Sequence, residues 1–121
     1  MSPAENHHKM HYIELAASDI TRAKQFYSTV FGWEFKEWGP EYIDFAPESG
    51  GMAGGFRVRK PEETSGTAAP LVVLYSKDLK ATEAAIAAAG GVIVVPTFEF
   101  PGGRRFHFSD GVGNVLAVWS E

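Results

Sequence analysis

The fold is decided by residues 13–35, which read Ile13-Glu-Leu-Ala-Ala-Ser-Asp-Ile-Thr-Arg-Ala-Lys-Gln-Phe-Tyr-Ser-Thr-Val-Phe-Gly-Trp-Glu-Phe35. The run from Met10 to Ala16 is rich in β-forming residues and predicts a strand. Asp19 follows in a position to cap a helix. Apolar residues then recur at three- and four-residue steps up to Phe31, as on one face of a helix of about three turns. Gly32 predicts the end of that helix.

The same pattern returns when the chain is shifted by 59 residues without a gap. Asp19 then aligns with Asp78 and Gly32 aligns with Gly91, and apolar residues of the first half align with apolar residues of the second. The matched apolar pairs are Ile13 with Val72, Leu15 with Leu74, Ile20 with Leu79, Tyr27 with Ile86, Val30 with Ala89 and Phe35 with Val94. A period close to half the chain indicates the internal duplication of one supersecondary unit.

Short strand-like runs separated by turn residues follow the helix in each half. In the first half these strands are Trp33–Trp38, Tyr42–Ala46 and Gly54–Arg59. The second half begins with a predicted strand over Leu71–Tyr75 and a predicted helix over Asp78–Ala89. The strands that follow this helix are Val92–Val95, Arg105–Ser109 and Val115–Ser120. We predict an α+β fold in which two tandem βαβββ modules form a curved, cup-shaped mixed β-sheet with the helices outside. The predicted boundaries are a single domain over residues 1–121, with module one at about 9–60, a linker at 61–70 and module two at 71–121.

Length and composition exclude several classes of protein. The 121 residues, 45% hydrophobic and 21% charged, are typical of one soluble globular domain. A net charge of −4 without a basic stripe argues against nucleic acid and anionic membranes as partners. The absence of cysteine excludes a disulfide framework, a cysteine-ligated zinc site and thiol catalysis, and it predicts a cytoplasmic location. The polar N-terminus lacks the apolar run of a signal peptide.

Two stretches carry a resemblance to a known family. Residues 13–35 resemble the opening module of the vicinal oxygen chelate superfamily, which includes glyoxalase I, bleomycin-resistance proteins and extradiol dioxygenases. The stretch Pro101-Gly-Gly-Arg-Arg-Phe-His-Phe-Ser-Asp-Gly-Val-Gly-Asn-Val-Leu-Ala-Val-Trp119 resembles the closing hairpin of the same fold. Over nearly its whole length the chain is similar to small predicted relatives of lactoylglutathione lyase. The resemblance implies two modules whose sheets curl around a cup with a small-molecule site inside.

The resemblance also implies where a metal ion would bind. In metal-bearing members, one inward residue on the first strand and one on the last strand of each module hold a divalent ion. The corresponding positions that can be placed here are Tyr12, Leu71 and Ala117, and the fourth falls within Gly54–Val58, a run without histidine, aspartate or glutamate. Tight binding of a divalent ion needs about three or more protein ligands. We therefore expect no metal cofactor, unless a metal-dependent alternative with atypical ligands holds.

Four histidines are the remaining candidates for metal binding or proton transfer. His7 and His8 lie in the polar tail, where we expect a solvated end. Side chains alternate along a strand, so His11 should point away from the cup if Tyr12 points into it. The same alternation in Arg105-Phe-His-Phe-Ser109 places Arg105 and His107 on the cup face and Phe106 and Phe108 under the helices. His107 then has either a structural role, in which it lines a polar cavity or is satisfied by a neighbour, or a functional one, in which it contacts the ligand or transfers a proton.

Glu14 is the polar residue that the first strand places in the cup. Alternation puts Tyr12, Glu14 and Ala16 inside, and Ile13 and Leu15 against the helices. A carboxylate on an otherwise apolar strand is costly without compensation, and Arg57, Arg105, His107 or water are the candidates to provide it. Glu14 is thus either half of a structural ion pair or, with His107, a catalytic acid–base residue.

Aromatic residues complete the predicted ligand site. A cup of aromatic and small residues with a few polar groups is typical of a small-ligand pocket. The predicted ligand-binding residues are Tyr12, Trp38, Phe56, Arg57, Tyr75, Arg105 and Trp119. An apolar or aromatic compound suits this set better than a phosphorylated or highly anionic one. The glycine-rich run Gly50–Gly55 lacks both phosphate-binding fingerprints, and we expect a flexible loop at the mouth of the cup.

Three functions remain open at this point. The first is a metal-free small-molecule-binding protein of the bleomycin-resistance type. The second is a glyoxalase-like lyase or isomerase that uses Glu14 and His107 as acid and base. The third is a metal-dependent glyoxalase or dioxygenase that recruits His11 or residues of a partner subunit. We expect a homodimer, because curved and partly open sheets leave edges and an apolar rim to be covered.

Overall fold

The computed structural model describes residues 7–8, 10–59 and 70–121. Residues 61–69 of the predicted linker therefore lie outside the described residues. The elements follow the order β1 Tyr12–Ala17, α1 Ile20–Phe31, β2 Lys36–Glu37, β3 Tyr42–Phe45, α2 Pro47–Gly50, β4 Ala53–Val58, β5 Val73–Tyr75, α3 Leu79–Ala88, β6 Val92–Phe100, β7 Gly103–Ser109 and β8 Val115–Ser120. Both halves follow the predicted βαβββ pattern, and the short α2 is an addition to the first.

The strands form two four-stranded sheets with the same connectivity. The strand order is β1-β4-β3-β2 in the first sheet and β5-β8-β7-β6 in the second. In each sheet the first strand of the module pairs in parallel with the last strand, and the remaining pairs are antiparallel. This equivalence confirms the predicted fold of two mixed-sheet modules. Each module forms its own sheet, and no strand of one sheet pairs with a strand of the other within the described ranges.

Local sequence signals place the ends of both long helices. The Asp19 carboxylate accepts a hydrogen bond from the Arg22 backbone N–H at 3.1 Å, and the Asp78 carboxylate accepts one from the Ala81 N–H at 3.1 Å. These caps satisfy donors that the first helical turn leaves unpaired. Gly32 ends α1 with φ of 72°, a left-handed conformation that glycine adopts without the steric penalty of a Cβ atom. None of the helices in the described part of the chain has the length and apolarity that a membrane crossing needs.

The core lies between the helices and the sheets, and α1 contributes to both modules. Phe26 stacks on Phe108 of the second sheet with 5.9 Å between ring centroids, while Tyr27 lies 4.9 Å from Phe56 of the first sheet. Burial of these rings stabilises the packing of the helix against both sheets. The fully or almost fully buried apolar residues are Ala17, Ala23, Phe26, Tyr27, Ile43, Phe45, Phe56, Ile86, Phe106, Phe108, Val112, Leu116, Ala117 and Val118.

The turn at residues 110–114 joins module two to module one. Asp110 is buried, and its carboxylate accepts hydrogen bonds from the Tyr27 hydroxyl at 2.8 Å and from the backbone N–H groups of Val112 and Asn114. The Asn114 side chain donates to the Ala16 carbonyl at 2.8 Å and to Asp110 at 2.9 Å. Because Tyr27 and Ala16 belong to module one, this turn holds the two modules against each other.

Several elements differ from the boundaries expected from sequence. The short helix α2 replaces part of the expected turn after β3. Pro47 lies in its first turn, where a backbone N–H would have no acceptor within the helix, so the N–H that proline lacks costs no hydrogen bond. β2 covers only two residues, whereas β6 covers nine and has two register irregularities against β7. The loop expected within Gly50–Gly55 is reduced to Gly51 and Met52, because Gly50 ends α2 and β4 begins at Ala53. Gly54 and Gly55 are buried inside β4, as the predicted strand Gly54–Arg59 requires. A Cβ atom at either position would lie within 3 Å of neighbouring atoms.

Candidate functional site

Each sheet covers the core with one face and leaves the other open. Ile13 and Leu15 pack against the core, whereas Tyr12 and Glu14 are exposed, as strand alternation requires. Phe106 and Phe108 are likewise buried between Arg105, His107 and Ser109. We call the open surfaces the first-sheet face, with Tyr12, Glu14, Tyr42, Asp44 and Arg57, and the second-sheet face, with Val73, Tyr75, Phe98, Arg105, His107 and Trp119.

A network of four side chains crosses the first-sheet face. The Tyr42 hydroxyl donates a hydrogen bond to Glu14 Oε2 at 3.1 Å, and the hydroxyls of Tyr12 and Tyr42 are hydrogen-bonded to each other. Since the single hydroxyl proton of Tyr42 points to Glu14, Tyr12 is the donor in the tyrosine pair. Arg57 Nε lies 3.2 Å from Glu14 Oε1. Of the groups considered for compensating the negative charge of Glu14, Arg57 is the one that forms an ion pair with it.

Solvent reaches the charges of this network. The side chains of Arg57 and Glu14 are 37% and 45% exposed, so their ion pair contributes at most about 1 kcal/mol to stability. Glu14 is therefore not the costly buried charge that its apolar strand suggests. Burial and the hydrogen bonds to Tyr12 and Glu14 raise the pKa of Tyr42 above its ordinary value. Tyr42 thus remains protonated at neutral pH and acts as a fixed donor.

Gly55 makes room for this network at the centre of the first sheet. It lies between Glu14 on β1 and Asp44 on β3 in the strand register. A Cβ atom at this position would lie 2.6 Å from the Tyr42 hydroxyl oxygen and 2.7 Å from the Tyr12 hydroxyl oxygen. The absent side chain therefore allows the two hydroxyl groups to meet above the strand.

Trp38 lies at the rim of the first-sheet face. Its indole N–H donates to Asp44 Oδ2 at 2.9 Å, and Lys36 Nζ lies 4.2 Å from the centroid of its ring. The residue is 56% exposed. The hydrogen bond and the cation–π contact orient an indole that remains open to solvent.

An aromatic row that contains one cation crosses the second-sheet face. The strand register places Tyr75, Trp119, Arg105 and Phe98 side by side on β5, β8, β7 and β6. The guanidinium carbon of Arg105 lies 5.2 Å from the ring centroid of Phe98 and 5.5 Å from that of Phe100. Tyr75 and Trp119 meet edge to face at 5.2 Å. The Tyr75 hydroxyl also donates to the carboxylate of Glu121.

His107 belongs to the neighbouring row. The register places it between Ala117 on β8 and Val95 on β6. Burial and the positive charge of Arg105 lower the pKa of His107 below its ordinary value, so the imidazole is neutral at pH 7. His107 Nε2 and Arg105 Nε are buried atoms that have no hydrogen-bond partner among the described residues. Such unpaired polar atoms are uncommon in native proteins.

The structure corrects one expectation about the site. Phe56 does not line an open face; it is fully buried in the core, because Arg57 takes the open side of β4 and adjacent strand residues alternate. Glu14 and His107 lie on different sheets, and no hydrogen bond or ion pair between them occurs in the described ranges. That one ligand contacts both residues stays a prediction. His11 is exposed, as are His7 and His8, whose rings stack on each other at 3.8 Å.

Sequence reasoning missed Tyr42, Asp44, Phe98 and Phe100. The alternation in Tyr42-Ile-Asp-Phe45 was a sufficient signal for the first two, because Ile43 and Phe45 are buried between them. The two phenylalanines lie beyond Val95, where the sequence-based strand ends. Pro96 is compatible with a longer strand here because β6 is at the edge of its sheet.

The described residues do not fit a metal site. The positions that correspond to family ligands hold Tyr12, Leu71 and Ala117, and none of these supplies a usual ligand. No group of three or more His, Cys, Asp or Glu side chains suited to hold a metal ion occurs in the part of the chain that the structure describes. Glu14 is already engaged by Arg57 and Tyr42. The described residues of one chain therefore offer no three-ligand set of the kind that a tightly held divalent ion needs.

A polar recess of about 400 Å³ lies against α1, on the helical side of the molecule. It is lined by Arg22, Gln25, Phe26, Thr29, Ala89 and Asp110. The Asp110 carboxylate in this recess already accepts four hydrogen bonds from Tyr27, Val112 and Asn114. The recess is thus built around a structural joint, and the two unpaired polar atoms found among the described residues belong to the second-sheet face.

Solved structures share this fold over nearly their whole length. TioX from Micromonospora sp. ML1 is 26% identical over 91% of this chain and 97% of that chain, with a TM-score of 0.67. A glyoxalase-related enzyme from Fulvimarina pelagi is 19% identical over 92% and 86%, with a TM-score of 0.73. The fosfomycin resistance protein FosX from Listeria monocytogenes, solved with Mn(II), is 16% identical over 91% and 87%, with a TM-score of 0.74. No curated protein sequence matches this chain.

The family is shown by a match that covers both modules. The model of the Glyoxalase/Bleomycin resistance protein/Dioxygenase superfamily matches residues 9–118. This range includes seven of the eight strands in full and β8 up to Val118; Trp119 of the second-sheet face lies just beyond it. The chain therefore belongs to the glyoxalase/bleomycin resistance protein/dioxygenase superfamily.

Proposed function

We propose that the protein binds a small apolar or aromatic organic compound on its open sheet faces, without a bound metal ion. The observation that carries this proposal is the aromatic row of the second-sheet face, which crosses all four strands and contains the unpaired Nε of Arg105. The superfamily name includes bleomycin resistance, and a fosfomycin resistance protein shares the fold. Both support a small organic molecule as the ligand.

Exposed aromatic side chains provide the physical basis for binding. Tyr75 is 54% exposed and Phe98 is 36% exposed, although both lie on a sheet. Soluble proteins rarely leave contiguous apolar surface open unless it has a function. Aromatic rings offer a large contact area to a flat ligand. Trp38 and the Tyr12–Tyr42–Glu14–Arg57 network of the first-sheet face add polar groups that can orient such a ligand.

Thermal unfolding with 2-naphthol as the probe tests this proposal. At ten times the dissociation constant, a ligand that binds only the folded state adds about 1.4 kcal/mol of stability, which corresponds to a rise in melting temperature of roughly 5 °C for a domain of this size. We expect this rise in wild type, the same rise with EDTA present, and a smaller rise in Trp119→Leu. The proposal is contradicted if the probe leaves the melting temperature unchanged, and its metal-free part is contradicted if EDTA abolishes the rise.

The functional unit that we propose is a homodimer. Val73, Val92 and Val115 are 42%, 59% and 50% exposed on strands of the second sheet, and β1, β2, β5 and β6 are edge strands of their sheets. A second copy would cover apolar surface and edges that a monomer leaves in water. Sedimentation equilibrium at tens of micromolar should give twice the chain mass of 13.2 kDa. A mass equal to one chain would contradict the dimer.

Two further assignments remain predictions. The cytoplasmic location depends on the absence of cysteine alone. The lyase or isomerase alternative requires Glu14 and His107 to act on one substrate, and nothing in the described contacts brings them together. Binding without chemistry is therefore the function that we favour.

A further inference from the structure

We infer that the ligand of the second-sheet face is an aromatic carboxylate, whose carboxyl group pairs with the Arg105 guanidinium and whose ring lies against Trp119 and Phe98. This inference depends on the proposed function, since it names the chemical class of the small molecule bound there. The inference adds a negative charge to the apolar or aromatic compound that the sequence predicts. The three observations that carry it are the contacts of Arg105, its unpaired nitrogen and the aromatic surroundings.

The ring contacts of Arg105 use none of its N–H groups as hydrogen-bond donors to nitrogen or oxygen. The guanidinium carbon lies over the rings of Phe98 and Phe100, at 5.2 Å and 5.5 Å from their centroids, and a cation–π contact is an attraction between the charge and the ring face. The N–H groups of arginine lie in the plane of the guanidinium and form a fork that matches the two oxygens of a carboxylate. Contacts with rings therefore hold the cation in place without using its donors.

Arg105 has no carboxylate of its own. No ion pair of this residue occurs within residues 10–59 and 70–121, and its Nε is a buried atom without a hydrogen-bond partner. An unpaired cation in surroundings of low polarity attracts an anion more strongly than the same cation in water does. The neighbouring His107 is neutral at pH 7 because its pKa is lowered. The Glu121 carboxylate lies at the other end of the row, where it accepts a hydrogen bond from Tyr75. The positive charge of Arg105 is therefore left for a ligand that carries a negative charge.

The surroundings of Arg105 specify the rest of the ligand. Trp119 is the register partner of Arg105 on β8, and Phe98 is its register partner on β6. A carboxylate at the guanidinium therefore lies between two aromatic residues that are about two strand spacings apart. His107 lies on the same face of β7, and its unpaired Nε2 is a buried atom. A flat ring directly bonded to a carboxyl group matches this arrangement.

The test compares 2-naphthoate with its neutral isostere 2-naphthamide by isothermal titration of wild type, Arg105→Met, Arg105→Lys and Arg104→Met. Methionine keeps an unbranched apolar stem in place of Arg105 and removes the charge. Arg104→Met is the matched control, because it removes the same charge from the next residue of β7, whose side chain lies on the opposite side of the strand. A charge-assisted hydrogen bond of about 1.5 kcal/mol corresponds to roughly tenfold in affinity.

We expect wild type to bind naphthoate at least about tenfold more tightly than naphthamide. Arg105→Met should lose this preference while still binding naphthamide, Arg105→Lys should keep part of it, and Arg104→Met should keep all of it. Equal binding of the two probes by wild type would overturn the carboxylate inference and leave the proposed binding of aromatic compounds intact. An equal loss of preference in Arg104→Met and Arg105→Met would also overturn it. Failure of both probes to bind wild type would overturn both proposals.

Discussion

Asp110→Ala is expected to lower the free energy of unfolding by about 3–4 kcal/mol. The buried Asp110 carboxylate accepts hydrogen bonds from the Tyr27 hydroxyl, the Val112 and Asn114 backbone N–H groups and the Asn114 side chain. Alanine would leave these donors without this acceptor at a position that is almost fully buried. It would also remove the joint between the modules, because Tyr27 belongs to module one.

Urea unfolding with linear extrapolation measures this loss. Asp44→Ala is the matched control, because Asp44 is a partly exposed aspartate that accepts one side-chain hydrogen bond, from the Trp38 indole. That variant should lose no more than about 0.5 kcal/mol. Tyr27→Phe should fall between the two, since it removes one of the four donors to Asp110. Equal stabilities of Asp110→Ala and Asp44→Ala would show that the turn does not hold the modules together.

Gly54→Ala is expected to lower the free energy of unfolding by about 3 kcal/mol. The new Cβ atom would lie 2.5 Å from the Ile13 carbonyl oxygen and 2.5 Å from Phe45 Cζ. Ile13 is the register partner of Gly54 in the parallel pair of β1 and β4. A methyl group at this position clashes with a backbone atom and with a core ring. The two strands must separate to remove these clashes.

Gly55→Ala on the same strand provides the comparison. Two of the three atoms nearest to its Cβ are the hydroxyl oxygens of Tyr42 and Tyr12, which lie at the ends of rotatable side chains. We expect a smaller loss of about 1–2 kcal/mol, with the hydrogen bond between the tyrosines broken. Urea unfolding of the two variants under the same conditions shows which of them loses more free energy of unfolding. A larger loss for Gly55→Ala than for Gly54→Ala would contradict the packing described for β4.

The sequence alone was sufficient to predict the features whose signal lies within a few neighbouring residues. Asp19 and Asp78 cap their helices, and Gly32 ends α1, because capping involves residues only a few positions apart. The duplicated pattern predicted equivalent modules, and the two sheets have the same strand order. Alternation also assigned Glu14 and His107 to open faces, since the period of a strand is two residues.

The parts that sequence did not predict depend on contacts between distant residues. The Tyr27–Asp110 hydrogen bond joins residues 83 positions apart, and neither residue carries a local signal for the other. Arg57 was one of several candidates for pairing with Glu14; the parallel pairing of β1 with β4 brings it close. Phe56 and Arg57 were both assigned to the cup although adjacent strand residues face opposite sides, and the register of β4 resolves this in favour of Arg57.

A map of NMR chemical-shift changes on addition of 2-naphthol tests the central claim, that an aromatic compound binds the open sheet faces, most directly. We predict that the largest changes in backbone amide shifts occur at Arg105, His107 and Trp119 on β7 and β8, and that they saturate with ligand concentration. Changes confined to the polar recess of Arg22, Gln25 and Thr29 on α1, or no saturable change at all, would contradict the account.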